Sequence, residues 1–131
     1  MNDYTVVKLA DVKDVLGDYP GEMQLMKDPL QTEQVAVTYR RMPAGTGAKG
    51  GYGHKHKTQE EVVFVFSGNL QVKVRDEVIE LGPKSAIRIA PNTPQGLWNE
   101  GPEDVELLII SNRVPDLMAE FERVENFWPT T

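Results

Sequence analysis

The sequence contains no cysteine, and this absence removes several classes of protein from consideration. A disulfide framework, a thiolate zinc site, an iron–sulfur cluster and a cysteine nucleophile are all excluded. Histidine is also scarce, so any chemistry that depends on imidazole must use His54 or His56. The length of 131 residues predicts a single domain over residues 1–131, with a core large enough to fold without a covalent crosslink.

The chain also lacks an excess of basic over acidic residues and has no long apolar run. Lys and Arg number 14 against 20 Asp and Glu, a net charge of -6 that disfavours nucleic acid as a partner. The longest apolar run, residues 105–110, is interrupted by Glu106, so we expect no membrane partner. The first four residues lack the basic and apolar regions of a secretion signal. We therefore expect a cytoplasmic protein whose partner is a small molecule.

Short segments of alternating polarity dominate the middle of the chain. Val35, Val37 and Tyr39 alternate with polar neighbours, as in a strand with one buried face. Glycine and proline separate similar segments further along, which cover residues 61–66, 70–75, 78–81, 86–90, 97–98 and 105–111. The tight turn at residues 67–69 predicts that segments 61–66 and 70–75 form a hairpin. About eight short strands without intervening helices predict an all-β jelly-roll barrel.

The end of the chain has a different period. After Pro115, the apolar residues Leu117, Met118, Phe121 and Val124 fall at helical spacing. This pattern predicts a short amphipathic C-terminal helix at about residues 115–126.

The two histidines lie two positions apart, so in a strand both side chains would point to the same face. Glu61 is five positions after His56, and a turn at residues 57–59 would return the chain and bring its carboxylate beside them. Two imidazoles and one carboxylate form a facial triad with open coordination positions, which suits Fe and also accepts Mn, Ni or Zn. The alternative is that His54 and His56, flanked by lysines, belong to a solvated basic loop.

The segment from His54 to Gly68 resembles the first motif of the cupin superfamily. That motif reads His-x-His, three or four residues, Glu, six residues and Gly, and this chain matches it through His54, His56, Glu61 and Gly68. A second, degraded motif runs from Gly82 to Asn99, with Gln95 at the position of the family's histidine. The resemblance, to the small single-domain bacterial cupins of the conserved-barrel type, implies a double-stranded β-helix with its core at about residues 33–112.

The resemblance also implies one divalent metal ion held by His54, His56 and Glu61. Gln95 would be its fourth ligand or a hydrogen-bond donor to bound water, although a Gln oxygen is a weaker ligand than imidazole. The same replacement allows a weakened or lost metal site. Asn92, at a glycine position of the motif, is the residue that best replaces glycine in a left-handed turn.

Strand parity assigns further residues to faces. If Glu61 faces the interior, Val62, Phe64 and Phe66 face outward. An outward apolar face is covered either by another element of the chain or by a second copy, and the cupin resemblance favours a homodimer. Arg40, Arg41 and Tyr52 lie near the expected barrel mouth and are either ligands for an anionic substrate or solvated side chains.

Three functions remain open on the sequence. The first is a metal-dependent small-molecule enzyme, dioxygenase-like or isomerase-like, with no catalytic residue assigned beyond the metal ligands. The second is a non-catalytic cupin that binds a sugar or an organic acid. The third is a purely structural dimeric barrel.

Overall fold

The computed structural model describes residues 3–130 and consists mainly of antiparallel strands. A 3-10 turn (Leu9–Asp11) and two one-turn helices, α1 (Lys27–Leu30) and α2 (Leu117–Glu120), are its helical elements within that range. The strands are β1 (Glu22–Leu25), β2 (Val35–Met42), β3 (Thr46–Gly47), β4 (Gly53–His56), β5 (Glu61–Ser67), β6 (Leu70–Val74), β7 (Glu77–Leu81), β8 (Ser85–Ile89), β9 (Gln95–Asn99), β10 (Val105–Asn112) and β11 (Phe121–Val124).

The strands form two sheets that pack against each other. The first has the order β1-β2-β10-β5-β8, and the second has the order β11-β4-β9-β6-β7, with β3 also paired to β9. Apart from the pairs β1–β2 and β6–β7, neighbours in each sheet are distant in sequence, because the chain crosses repeatedly from one sheet to the other. This arrangement confirms the predicted double-stranded β-helix.

The core fills one end of the space between the sheets, and a cavity occupies the other. At the core end, Met42 of β2, Val65 of β5 and Leu107 of β10 are almost completely buried. Towards the other end the inward residues become small or polar, with Ala36 and Ser111 paired in register and Glu61 beside Ser111. The shorter side chains leave unfilled space there, and that space contains the site described below.

The predicted hairpin between residues 61–66 and 70–75 is wrong. β5 lies in the first sheet between β10 and β8, whereas β6 lies in the second sheet between β9 and β7. Gly68 has a φ of 82° and carries the chain from one sheet to the other. A Cβ there would lie 2.3 Å from the carbonyl oxygen of Asp104, so the crossing depends on glycine.

The predicted C-terminal helix over residues 115–126 is also wrong for most of its length. Only Leu117–Glu120 is helical, with Asp116 capping the amides of Met118 and Ala119. Phe121–Val124 instead pairs with β4. Without β11, β4 would be an edge strand with unpaired backbone groups, and satisfying these groups outweighs the short helical period.

Two smaller expectations are confirmed. Asn92 has a φ of 58°, the left-handed conformation expected of a residue at that motif position. Val63 and Val65 are buried beside Glu61, whereas Val62 and Phe64 are half-buried and Phe66 is 47% exposed on the opposite face. No helix within residues 3–130 is long and apolar enough to span a membrane.

Candidate metal centre

The two histidines and the glutamate of the first motif meet inside the barrel. His54 and His56 extend inward from β4 of the second sheet, and Glu61 extends inward from the start of β5 in the first. One ligand atom from each of the three side chains lies within 4.8 Å of the other two. The expected turn at residues 57–59 is present and carries the chain between the sheets, so Glu61 approaches the histidines from the facing sheet.

Gln95 lies directly beside this group. It is buried on β9, in register with His54 on the neighbouring strand. Its side-chain Nε2 donates a hydrogen bond to Glu61 Oε1 at 2.6 Å. The other carboxylate oxygen, Oε2, is 3.4 Å from His56 Nε2. Gln95 therefore fixes the orientation of the Glu61 carboxylate across the gap between the sheets.

The environment of His54 keeps its imidazole neutral. Burial, followed by the nearby charges of His56 and Arg40, lowers the pKa of His54 to about 4. The ring stacks on Phe121 of β11, with centroids 5.2 Å apart, and meets His56 edge-on at 4.9 Å. Because a metal binds neutral imidazole, His54 is in its ligating form throughout the neutral range.

An anchored turn supports the ligands from outside. Glu120, at the end of α2, accepts hydrogen bonds from Thr58 Oγ1 and from the backbone amides of Thr58 and Gln59. These bonds tie the segment before β11 to the turn that separates His56 from Glu61. The turn that sets the position of Glu61 relative to the two histidines is thus held by Glu120.

The three side chains fit one divalent cation. Ligand atoms about 2.1 Å from a metal are separated by about 3 Å when they bind at right angles, which small side-chain rotations would reach from the observed spacing. His56 Nδ1 is buried without a hydrogen-bond partner in the described chain, so this ring is not fully committed to protein contacts. The donor set of two nitrogens and one carboxylate oxygen leaves coordination positions open on the cavity side.

The triad opens into a cavity of about 240 Å³. Apolar side chains form most of its wall, among them Leu25, Val63, Ile109 and Phe121. A cavity of this size is large enough for a small molecule, and its apolar wall offers few hydrogen-bonding groups to water.

Of the residues expected at the barrel mouth, the structure brings two into cavities. Arg40 lines the triad cavity, and both Arg40 and Tyr52 line an adjoining cavity of about 470 Å³ that also reaches His54. Arg41 points to the opposite face and pairs with Glu22 and Asp104. The sequence reading missed Phe121 as a contact of His54, since its place in a strand beside β4 had no local signal.

Comparisons with known proteins agree with this architecture. The family model described as the cupin domain matches residues 39–111, more than half of the chain. A cupin protein from Bacteroides fragilis is 25% identical, with a TM-score of 0.70 over 89% of this chain and 90% of that one. No curated protein sequence matches the chain significantly.

Two further solved structures share the fold at lower identity. One is described as a sugar phosphate isomerase of the cupin superfamily from Silicibacter pomeroyi, with 16% identity and a TM-score of 0.72 over 96% of both chains. The other is the polyketide cyclase RemF from Streptomyces resistomycificus, with 18% identity and a TM-score of 0.72 over 94% of this chain and 85% of that one.

Proposed function

This chain belongs to the cupin family, and we propose that it is a metal-dependent enzyme acting on a small organic molecule. The observation that carries the proposal is the convergence of His54, His56 and Glu61 at the wall of a mostly apolar cavity. A protein that used the barrel only as a scaffold would have no need of three ligating groups facing an internal space.

Each residue of the site has a distinct part in this proposal. His54, His56 and Glu61 would hold one divalent ion, of Fe, Mn, Ni or Zn, which supplies Lewis acidity or redox chemistry when bound. Gln95 orients the Glu61 carboxylate through its hydrogen bond and is the candidate fourth ligand. Phe121 keeps the His54 ring in place by stacking, and the apolar wall excludes water from the bound substrate.

Two reaction classes match such a site. A redox-active metal with open positions suits a dioxygenase, and a Lewis-acidic one suits an isomerase, in which it polarises a substrate carbonyl. The similarity to a described sugar phosphate isomerase makes sugar phosphates one substrate class to test, beside enediols and diketones.

The competing function is a cupin that binds a sugar or an organic acid without turnover. The specific observation in its favour is Gln95, because replacing the family's histidine by an amide removes a strong ligand.

Turnover by the metal-loaded protein separates the two functions. Metal-free protein is loaded with Fe(II), Mn(II), Ni(II) or Zn(II), and oxygen uptake and substrate isomerisation are measured for each substrate class. We expect turnover with at least one metal and its loss, by a factor of about 100 or more, in Glu61→Ala, which lacks a metal ligand. Glu60→Ala is the matched control, since Glu60 is exposed and pairs with Arg88 outside the cavity. Stoichiometric metal without any turnover would instead favour the binding function.

We also propose that a second copy of the chain covers the outer face of the first sheet. Side chains of three adjacent strands form a continuous apolar surface there, comprising Val37, Val62, Phe64, Phe66, Leu108 and Ile110. Contiguous apolar patches of this kind are unusual on monomers, and twofold dimers are the commonest homo-oligomers.

The molar mass in solution tests this dimer. Phe66 and Val78 are each 47% exposed, but Val78 lies on the second sheet. We expect light scattering to give the mass of a dimer for the natural chain and for Val78→Glu. Phe66→Glu should give a monomer at micromolar concentration, because it places a charge in the apolar surface. A monomeric natural chain, or a dimer unaffected by Phe66→Glu, would contradict the proposal.

A further inference from the structure

Arg40 differs from every other arginine of the chain. Arg41, Arg88, Arg113 and Arg123 form ion pairs with carboxylates, and Arg75 is exposed. Arg40 has no such ion pair within residues 3–130, and its Nε is buried without a hydrogen-bond partner there. Withdrawing part of a cation from water without a counter-ion costs free energy, so the position of Arg40 calls for an explanation other than stability.

The position of Arg40 supplies that explanation. It extends from the inner face of β2, in register with Met23 of β1 and Leu107 of β10, and lines the triad cavity. It lies close enough to His54 for its charge to contribute to the lowered pKa of that imidazole. It also borders the adjoining cavity together with Tyr19 and Tyr52. The free guanidinium is therefore placed where a molecule facing the triad would meet it.

The chemistry of the group defines what it would bind. A guanidinium presents planar, paired N–H donors that match the two oxygens of a carboxylate. The rest of the cavity wall is mainly apolar, which suits a hydrocarbon body. The volume of about 240 Å³ limits the ligand to a small one. Since a single guanidinium balances one negative charge, a carboxylate suits it better than a doubly charged phosphate ester.

From the unpaired, inward-facing guanidinium of Arg40 beside the triad, we infer that the cavity binds a small organic monocarboxylate. Its carboxylate pairs with Arg40, and its apolar body lies along the cavity wall. The inference deepens the proposed function, on which it rests for the role of the triad, by naming the substrate class. Carboxylate binding to the metal-free protein can nevertheless be measured without turnover. Failure of the carboxylate inference can therefore be distinguished from failure of the proposed metal-dependent activity.

Binding of defined probes to the metal-free protein tests the inference. Benzoate, isovalerate and pyruvate serve as carboxylates, benzamide as the neutral analogue of benzoate and phenyl phosphate as the phosphate ester. By titration calorimetry or ligand-observed NMR, we expect at least one carboxylate to bind. Benzoate should bind about 10-fold or more tightly than benzamide, which lacks the charge that strengthens the guanidinium contact. Saturation by none of the carboxylates, or equal affinity for benzoate and benzamide, would overturn the inference. Tighter binding of phenyl phosphate would reassign the site to phosphate esters and overturn the carboxylate assignment.

Two variants separate a ligand-binding role from a structural one. Arg40→Met keeps much of the length of the side chain but removes its charge, and we expect it to weaken carboxylate binding about 10-fold or more. Arg41→Gln, which removes a charge on the opposite face of the same strand, should leave binding within about twofold.

Thermal stability gives the second readout. Because Arg40 is half-buried and has no counter-ion within residues 3–130, Arg40→Met should melt at the same temperature as the natural metal-free protein or a few degrees above it. If Arg40→Met lowers the melting temperature and retains carboxylate binding, Arg40 is a structural residue and the inference is wrong.

Discussion

Replacing His56 by alanine is expected to weaken divalent-metal binding by more than about 100-fold. Changing residues that only support metal ligands commonly costs 10–100-fold in affinity, and His56 is one of three proposed ligands, so its loss should cost more. The remaining pair, His54 and Glu61, would hold the ion by two bonds. The measurement is a competition titration of metal-free protein against a chromophoric chelator, with Zn(II) and Mn(II) measured separately.

The neighbouring residue supplies the control for this experiment. Lys55 lies between the two histidines, and its side chain pairs with Glu122 of β11 at 3.4 Å, away from the triad. Lys55→Ala should therefore leave metal affinity within about twofold, because it removes only a partly exposed ion pair. Equal affinities for His56→Ala and Lys55→Ala would show that the metal, if bound, is held elsewhere.

Replacing Gln95 by histidine is expected to tighten metal binding by about 10-fold or more, because imidazole is a better ligand than an amide oxygen for Fe, Mn, Ni and Zn. The geometry favours this change, since Gln95 is buried, in register with His54 and within 2.6 Å of a Glu61 oxygen. A histidine there would face the same point as the other ligands. The same competition titration measures the change.

A histidine added outside the cavity controls for nonspecific gains. Gln71 of β6 carries an amide that bonds to Glu80 in an exposed setting. Gln71→His should leave affinity for the first metal equivalent unchanged. If Gln95→His binds no more tightly than the natural chain, residue 95 does not face the metal, and the proposed role of Gln95 as a fourth ligand is wrong.

Most of what the sequence could predict about the site came from the alternation of side chains between the two faces of a strand. The alternation in residues 61–65 predicted that Val63 and Val65 share the face of Glu61, and the His-x-His spacing predicted that both imidazoles share one face. Alternate side chains of an extended chain point to opposite faces. This property does not depend on which strands pair with it. In β2 the alternation indicated the wrong face. Val35, Val37 and Tyr39 were expected on the buried face, but the cavity is lined by Ala36, Thr38 and Arg40, and Val35 is 45% exposed.

Pairing between strands could not be predicted in the same way. The alternation in residues 61–66 and 70–75 predicted a hairpin, yet the two segments lie in different sheets, because a tight turn at Gly68 also allows the chain to cross between sheets. Phe121 and Val124 fit a helical period, but their pairing with β4 depends on an edge created by residues almost 70 positions earlier. Both errors concern contacts between segments that are distant in sequence. The spacing of apolar residues within one segment does not determine such contacts.

A crystal structure of the full chain, purified without a histidine tag and loaded with one equivalent of Mn(II) or Zn(II), tests the central claim most directly. We expect one anomalous difference peak inside the barrel, about 2.1 Å from a nitrogen of His54, a nitrogen of His56 and an oxygen of Glu61. A peak located elsewhere, or none in fully loaded crystals, would show that these three residues do not form a metal centre.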